Sequence, residues 1–585
     1  MTLVTIVHQH LYNLTPIIFH FKDKITHHIL IFDIADKKYA EQLQRGITNL
    51  NERYKLQSTI ELIELDEDSP NNIAALKERL QNYRNLTLNI SGSDFALSQQ
   101  LFAIVQELGG EVFAYDKEDN SYNLLPSFSN HKIDNNMKLS DFCDLLDITI
   151  VEKIDKNKIR GDRKLLEKIF ADFPALFRYM DLIEDGYTHE AAKLYPKLDK
   201  AIKQKLGSIN NRSQINKIFE EYLFLLFDKF DFDDLQCGVR LDFFPREANN
   251  VINEFDLLFI KNNRIGFVEI KLSKKPQNYL PLLYKNDAIM DFFGSDTISI
   301  IYALTQEKTP LSLPIAKRSQ EKKITILQED RIDTATLQRA LKRFDIFPRH
   351  FLLGGQDLEM VTIKKLLLEP CGQTYSDKKL SWGAKLSSYQ ELFNDDEHFY
   401  GIELIEDITP PKHYSAIDHH NQFQDRPSAL EQVAKILDIE LGRFERLIAL
   451  NDKGYIPAMQ DFGASKEEIE EIRRLDRRAQ GVSKKEEERA IEEIKRAQKR
   501  GNLTIVHTTL EHFSPIVDRL YPANLLIYNE EQLAYYGDKV PLLKESFKDL
   551  IQKKVAYYGG GDGFFGIAKG YATKELREKI IELVS

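Results

Sequence analysis

The stretch NEFDLLFIKNNRIGFVEIKL (253–272) decides how this chain is read. Two β-rich runs, NEFDLLFI and RIGFVEIKL, are joined by the turn KNN and follow the long amphipathic helix SQINKIFEEYLFLLFDKF (213–230). A helix, a hairpin and then further α and β segments predict an α/β domain. Side chains on a strand alternate with a period of two, so Glu269 and Lys271 share a face, and Asp256 on the first strand converges on them. Charged groups flanking Ile270 in an apolar strand are costly to bury unless they bind something. Asp256, Glu269 and the backbone carbonyl between Glu269 and Lys271 suit a hard divalent cation, Mg²⁺ or Mn²⁺. Lys271 suits an attacking water or the charge developing on a phosphoryl group.

Working toward the N-terminus, HHILIFDIA (27–35), TIELIEL (59–65), LTLNIS (86–91) and GEVFAYD (110–116) are short β-rich runs separated by helical stretches. That alternation predicts a parallel sheet wrapped by helices over 1–148. Residues 149–211 read as a charged helical connector and 212–343 as the hairpin domain. Toward the C-terminus the alternation resumes over 344–482. The run ASKEEIEEIRRLDRRAQGVSKKEEERAIEEIKRAQKR (464–500), expected as solvated helix, leads into a terminal α/β segment over 483–585.

A chain of 585 residues is too long for one core, and 42% hydrophobic with 29% charged residues excludes collagen-like, low-complexity and disordered classes. A net charge of −11 leaves no global basic footprint, so any nucleic-acid contact is local. Three widely spaced cysteines exclude a disulfide framework and a CxxC metal site, and no signal peptide or membrane span is expected, which together predict a soluble, cytoplasmic protein.

The helix acid Glu220, then Asp256, then Glu269-x-Lys271 resembles the PD-(D/E)xK nuclease superfamily. With the helix EEY and the segment LLYKNDAIMDFFGS, the resemblance narrows to CRISPR-associated CARF nucleases activated by cyclic oligoadenylates. It implies a Rossmann-like CARF sensor at the N-terminus, a restriction-endonuclease-like domain, a nucleic-acid substrate (DNA, RNA or both), a role in antiviral defence and a homodimer. The phosphate-facing turn of the sensor would be Ser91, Gly92 and Ser93, followed by Asp94 and Phe95 where the family carries Thr and Lys.

In the third region FLLGGQDLEM (351–360), TYSD (374–377), AIDHHN (416–421) and IALNDKGY (448–455) each end an apolar run on an acid, where open α/β sheets bind ligands. These motifs resemble the DHH phosphoesterases. The resemblance implies Mn²⁺ held by Asp357, Glu359, Asp377, Asp418, His419 and Asp452, with His420 orienting the substrate phosphate or assisting the leaving group. Leu353 stands near the position of the family's first histidine, and Glu359 replaces an aspartate. The terminal YYGGGDGFFGIAKG (557–570) resembles the DHH-associated domain, with Gly559, Gly560 and Gly561 gripping a phosphate and Asp562 where a histidine is common.

The combined expectation is a metal-dependent nuclease whose DHH unit degrades the signal or short oligonucleotides. The alternatives are a nucleotide-binding regulatory or scaffold protein with a degenerate DHH unit, and a DNA-repair nuclease without second-messenger control. Trp382 and Cys371 are expected to be structural.

Overall fold

A computed structural model describes the chain except residues 66–69, 93–94, 209–211, 247–251, 274–277, 295, 307–308, 382 and 560–562. For 70–72, 95–96, 212 and 421 it describes the backbone alone. Ser93, Asp94, Trp382, Gly560, Gly561 and Asp562 therefore lie outside the described residues. The protein is a multidomain α/β chain with two compact units, Met1–Arg349 and His350–Ser585.

In the first unit β1 (Thr2–Ile6), β2 (His27–Phe32), β3 (Thr59–Glu64), β4 (Leu86–Asn89), β5 (Glu111–Asp116), β6 (Ser121–Leu125) and β7 (Ser129–Lys132) form a sheet in the order β3-β2-β1-β4-β5-β6-β7. The first five strands are parallel, the order of a Rossmann-type half. Leu3, Leu30 and Phe32 enter the core on one face, while Val4, Ile29, Ile31 and Leu88 enter the core on the other. Burial on both faces explains the unbroken apolar runs. The sequence reading overlooked β1 although it lies at the centre of the sheet, because TLVTI shows no alternation to mark it.

The second sheet runs β13-β12-β11-β10-β9-β8. Its members are β8 (Thr149–Glu152), β9 (Asp234–Asp242), β10 (Ile252–Lys261), β11 (Arg264–Ser273), β12 (Ile298–Thr305) and β13 (Ile324–Glu329). The hairpin β10–β11 forms as expected but turns on two residues and not the three of KNN, with Lys261 opposite Arg264. Asn262 and Asn263 turn it with φ of 50° and 59°, the left-handed pair that a two-residue hairpin of this twist requires. Asn263 is buried and tied down, accepting from the Met137 N–H at 2.8 Å and donating to Asn120 Oδ1 at 2.9 Å.

The region read as a connector does more than connect. β8 pairs with β9, and the helices that follow supply Ile159, Leu166, Phe170 and Phe177 to the core that also holds Phe219, Leu257 and Phe259. Phe170 stacks on Tyr222 at 4.8 Å, which seats the helix Arg212–Phe227 against this layer.

The second unit holds β14 (Arg349–Leu353), β15 (Thr374–Ser376), β16 (His398–Ile402) and β17 (Tyr414–Ile417) in the order β15-β14-β16-β17. Its other sheet is β18-β19-β20-β21-β23-β22, from β18 (Gln498–Arg500), β19 (Leu503–His507), β20 (Asn524–Tyr528), β21 (Leu533–Tyr536), β22 (Ala556–Gly559) and β23 (Phe564–Ile567).

The charged run is a correction to the sequence reading. Its helix Lys466–Ala479 buries Arg473, Asp476 and Arg477, which pair with one another or with Asp518, so one side of the helix is an internal ionic layer. All three cysteines are buried, and among the described residues no helix is long and apolar enough to cross a membrane.

Candidate hairpin site and candidate metal centre

In the first unit the ladder runs from Lys261–Arg264 to Leu257–Val268, and just beyond it Asp256 and Glu269 come close enough for their charges to interact. Asp256 Oδ2 accepts the Ile270 N–H at 2.6 Å, which pins the carboxylate across the hairpin. Glu269, only 7% exposed, is held by Lys271 at 2.7 Å on one oxygen and by Lys285 at 2.8 Å on the other.

Glu220 borders this group from the helix Arg212–Phe227. Its neighbour Glu221 is occupied by Lys205 at 2.5 Å. Burial, then the charges of Asp256 and Glu254, push the Glu220 carboxyl up to about 8. Burial and the facing Glu269 push Asp256 up to about 6. For Glu269 burial acts upward too, but Lys271 and Lys285 outweigh it and hold the carboxyl below its ordinary value. Lys271 is raised despite burial because Glu269 and Asp256 face it. The four predicted residues are thus brought together, an acid-rich group that a cation would relieve.

Lys285 is the member that sequence reasoning missed. It lies within the quoted LLYKNDAIMDFFGS on the helix Leu280–Phe293, and only packing of that helix against the hairpin brings it to Glu269.

In the second unit the strand ends deliver acids as the parallel order requires. Asp357 follows β14 and caps the helix Leu358–Thr362, accepting the Met360 N–H at 2.8 Å. Gly354 lets β14 leave the sheet against its neighbour, since a Cβ there would lie 2.2 Å from the Ile402 carbonyl oxygen. Glu403 follows β16 and His419 follows β17.

Glu359, Glu403, His419 and Asp452 each turn one ligand atom into a space where all four atoms lie within 4.8 Å of one another. His419 Nε2 is 2.6 Å from Asp452 Oδ2, 3.4 Å from Glu403 Oε1 and 3.9 Å from Glu359 Oε2. These four buried atoms have no hydrogen-bond partner among the described residues. Converging buried ligand atoms that face chiefly one another are an arrangement a divalent cation completes, and three carboxylates with one imidazole suit Mn²⁺. The second oxygen of Glu359 accepts the Leu430 N–H at 2.9 Å, which fixes the carboxylate.

The electrostatics agree. Burial, then Asp452 and Glu403, raise Glu359 well above the carboxylate range. Burial, then Glu403 and Asp452, push Asp357 up to about 7. Burial lowers His419, but Asp452 and Glu403 outweigh it and bring the ring up to about 9.

Several predicted residues stand elsewhere. Asp377 is not in the cluster. It pairs with Lys364 at 2.7 Å, and although burial acts upward, Lys364 and the Lys379 N–H hold its carboxyl low. Glu403, which the sequence reading did not name, is the acid that enters the cluster. It is the lone acid directly after β16, inside YGIELIED, where no motif marks it.

Asp418 turns its Oδ1 to His420, accepting the backbone N–H at 2.8 Å and lying 2.9 Å from Nδ1. His420 in turn groups with Glu403 and His419 as a further candidate ligand. Leu353 is a core residue, 1% exposed.

The turn that begins at Ser91 is partly described. Ser91 is buried and its hydroxyl donates to Asn89 Oδ1 at 2.5 Å and accepts the Tyr115 N–H at 3.0 Å, so this side chain holds the turn itself. Gly92 has φ +71° and faces Asn13. Gly559 ends β22 opposite Phe564.

No family model matches the chain, and no curated protein matches it. Among solved structures, the protein VC1899 from Vibrio cholerae is similar at a TM-score of 0.46 and 14% identity, over 59% of this chain and 97% of that one. Can2 from Sulfobacillus thermosulfidooxidans, in complex with cyclic tetra-adenylate, is similar at a TM-score of 0.44 and 14% identity, over 58% of this chain and 98% of that one.

Proposed function

We propose that this chain is a metal-dependent nuclease that cuts nucleic acid at the hairpin, responds to a cyclic oligoadenylate through its N-terminal sheet and works as a homodimer in antiviral defence. The observation that supports the nuclease reading is the gathering of Asp256, which accepts the Ile270 N–H, with Glu269 and its partner Lys271 at the end of the β10–β11 ladder. Asp256, Glu269 and the Ile270 carbonyl would hold Mg²⁺ or Mn²⁺. A divalent cation, when bound, polarises a phosphoryl oxygen and neutralises developing charge.

The chain's own residues do the rest. Lys271 carries a charged Nζ next to Glu269 and stabilises negative charge on the phosphoryl group. Lys285 keeps the second oxygen of Glu269 fixed. Glu220, protonated at neutral pH by its surroundings, presents a carboxyl proton beside Asp256. The activator rests on the sequence resemblance around Ser91, Gly92 and Ser93.

The second unit supports a further hydrolytic reading through its four unpartnered ligand atoms. Glu359, Glu403, His419 and Asp452 would hold Mn²⁺, His420 would orient a phosphate, and the Gly559–Gly561 segment would grip its neighbour. The substrate class is short linear or cyclic oligonucleotides, including the signal itself.

The test is a panel of plasmid, single-stranded DNA and single-stranded RNA, with Mg²⁺ or Mn²⁺, with and without cyclic oligoadenylates of several ring sizes. Metal-dependent cutting stimulated by one ring supports the reading. Cutting indifferent to every ring favours a repair nuclease, and binding without turnover of any substrate favours a scaffold.

A further inference from the structure

The ionic layer of the helix Lys466–Ala479 lies directly behind the metal centre. Arg473, 8% exposed, donates from Nη1 to Asn451 Oδ1 at 2.9 Å and to Asp476 Oδ2 at 2.7 Å. Asn451 adjoins Asp452. Asp476 Oδ1 accepts the Leu358 N–H at 3.2 Å, and Leu358 stands between Asp357 and Glu359. One guanidinium is therefore linked to two separate ligand segments, through the Asn451 side chain and through Asp476.

Its other edge is committed elsewhere. Nε and Nη2 form a fork on the carboxylate of Asp518, both at 3.1 Å, and Asp518 belongs to the helix Ser514–Leu520 beside the C-terminal sheet. Arg477 and the Tyr455 hydroxyl also donate to Asp518.

Tyr455 reports what this network holds. It has φ 57° and ψ −150° inside the helical segment Arg443–Asp461, a conformation strained for an aromatic side chain, and its ring lies 4.5 Å from the Arg473 guanidinium carbon. The break falls just after Asp452, so the turn that presents this ligand ends in a kink clamped by Asp518 and Arg473. Strain of this kind persists only where surroundings over-determine it.

We propose that Arg473 is a positioning residue for the metal centre, and that with Asp518 it makes the seating of the C-terminal layer a condition for correct ligand geometry. The inference rests on the reading of the Glu359, Glu403, His419 and Asp452 cluster as a metal site. Arg473 touches neither metal nor substrate. It sets Asp452 through Asn451 and Tyr455, and the Asp357–Glu359 segment through Asp476. Lysine would keep the charge but could not span Asn451, Asp476 and Asp518 at once.

The experiment is Mn²⁺ titration of the full chain, followed by calorimetry and by the EPR signal of free Mn²⁺, for wild type, Arg473→Met, Arg473→Lys and Asp518→Asn. Removal of outer-layer partners of metal ligands lowers affinity by about 10- to 100-fold, and that is the loss expected for Arg473→Met and Asp518→Asn, with Arg473→Lys giving little recovery. Cleavage of nucleic acid at the hairpin should stay at the wild-type rate in all three. Unchanged Mn²⁺ affinity in folded Arg473→Met, with only a lower melting temperature, would reduce Arg473 to a structural role and overturn the proposal. If that variant does not fold, Asp518→Asn decides by the same criterion. Wild type that binds no Mn²⁺ at this centre would instead remove the metal reading, and the proposal with it.

Discussion

The hairpin site and the centre around His419 gather similar groups and balance them in opposite ways. At the hairpin, Glu269 is neutralised on both oxygens by Lys271 and Lys285, leaving the burden on Asp256 and Glu220. Around His419, three carboxylates face one imidazole, and their converging atoms have no hydrogen-bond partner among the described residues. A site compensated by its own lysines folds complete and takes a cation weakly until substrate adds charge. A site with surplus buried acid gains most from a cation in the resting protein. On the proposed reading, the hairpin would suit turnover on an incoming phosphodiester and the second centre a resident ion.

The sharpest way to break this contrast is to remove one member of the hairpin. Asp256→Ala or Lys271→Ala should lower single-turnover cleavage by about 10³-fold, roughly 4 kcal/mol of transition-state stabilisation, while circular-dichroism melting stays near wild type. Loss of cleavage accompanied by unfolding would leave no special role for these groups.

Next in size is metal binding at the second centre. His419→Ala with Asp452→Ala should abolish the rise in melting temperature that Mn²⁺ gives the wild type, a stabilisation of about 2.7 kcal/mol at a concentration 100 times the dissociation constant. The metal competes with the proton on His419, raised to about 9, so Mn²⁺ affinity should climb as pH rises from 6 to 9, whereas Asp357, predicted as a ligand, lies outside the cluster. A flat calorimetric profile over that range would contradict the assignment.

How far the sequence went is seen in the same two places. The hairpin was legible because three of its charged residues sit inside one contiguous stretch: the period of two gives the shared face of Glu269 and Lys271, and KNN marks the turn, which the structure narrows to the asparagine pair. Lys285 was hidden because its position depends on how a separate helix packs. At the second centre the strand-end acids pointed to the correct sheet edge, but Asp377 follows a strand just as Glu403 does, and sequence cannot tell which of two such acids an adjacent lysine will claim. Lys364 claims Asp377. The buried side of the helix Lys466–Ala479 was missed for a similar reason, since interleaved charges look the same whether their partners are water or each other.

A smaller effect separates the two sites by pH. Glu220 titrates near 8 in the folded protein and near 4.5 when free, so between those values the native state holds a proton that the unfolded state has released. Stability from this group therefore falls as pH rises from about 4.5 through 8. Glu220→Gln should flatten that slope and raise the melting temperature by a few degrees at pH 8, while slowing cleavage. An unaltered pH–stability curve would show that Glu220 is not held in the acid-rich group. The smallest effect is expected at Asp377: its alanine variant should bind Mn²⁺ within about twofold of wild type, and a large loss in the calorimetric titration would return Asp377 to the ligand set.

The most direct test of the account is metal-dependent cleavage of one labelled single-stranded oligonucleotide by three proteins: wild type, Asp256→Ala, and the His419→Ala, Asp452→Ala double variant. The hairpin reading predicts that Asp256→Ala is inactive and that the double variant cuts at the wild-type rate within about twofold. Cutting by Asp256→Ala at the wild-type rate, or its loss in the double variant alone, would contradict the assignment of the nuclease to β10–β11.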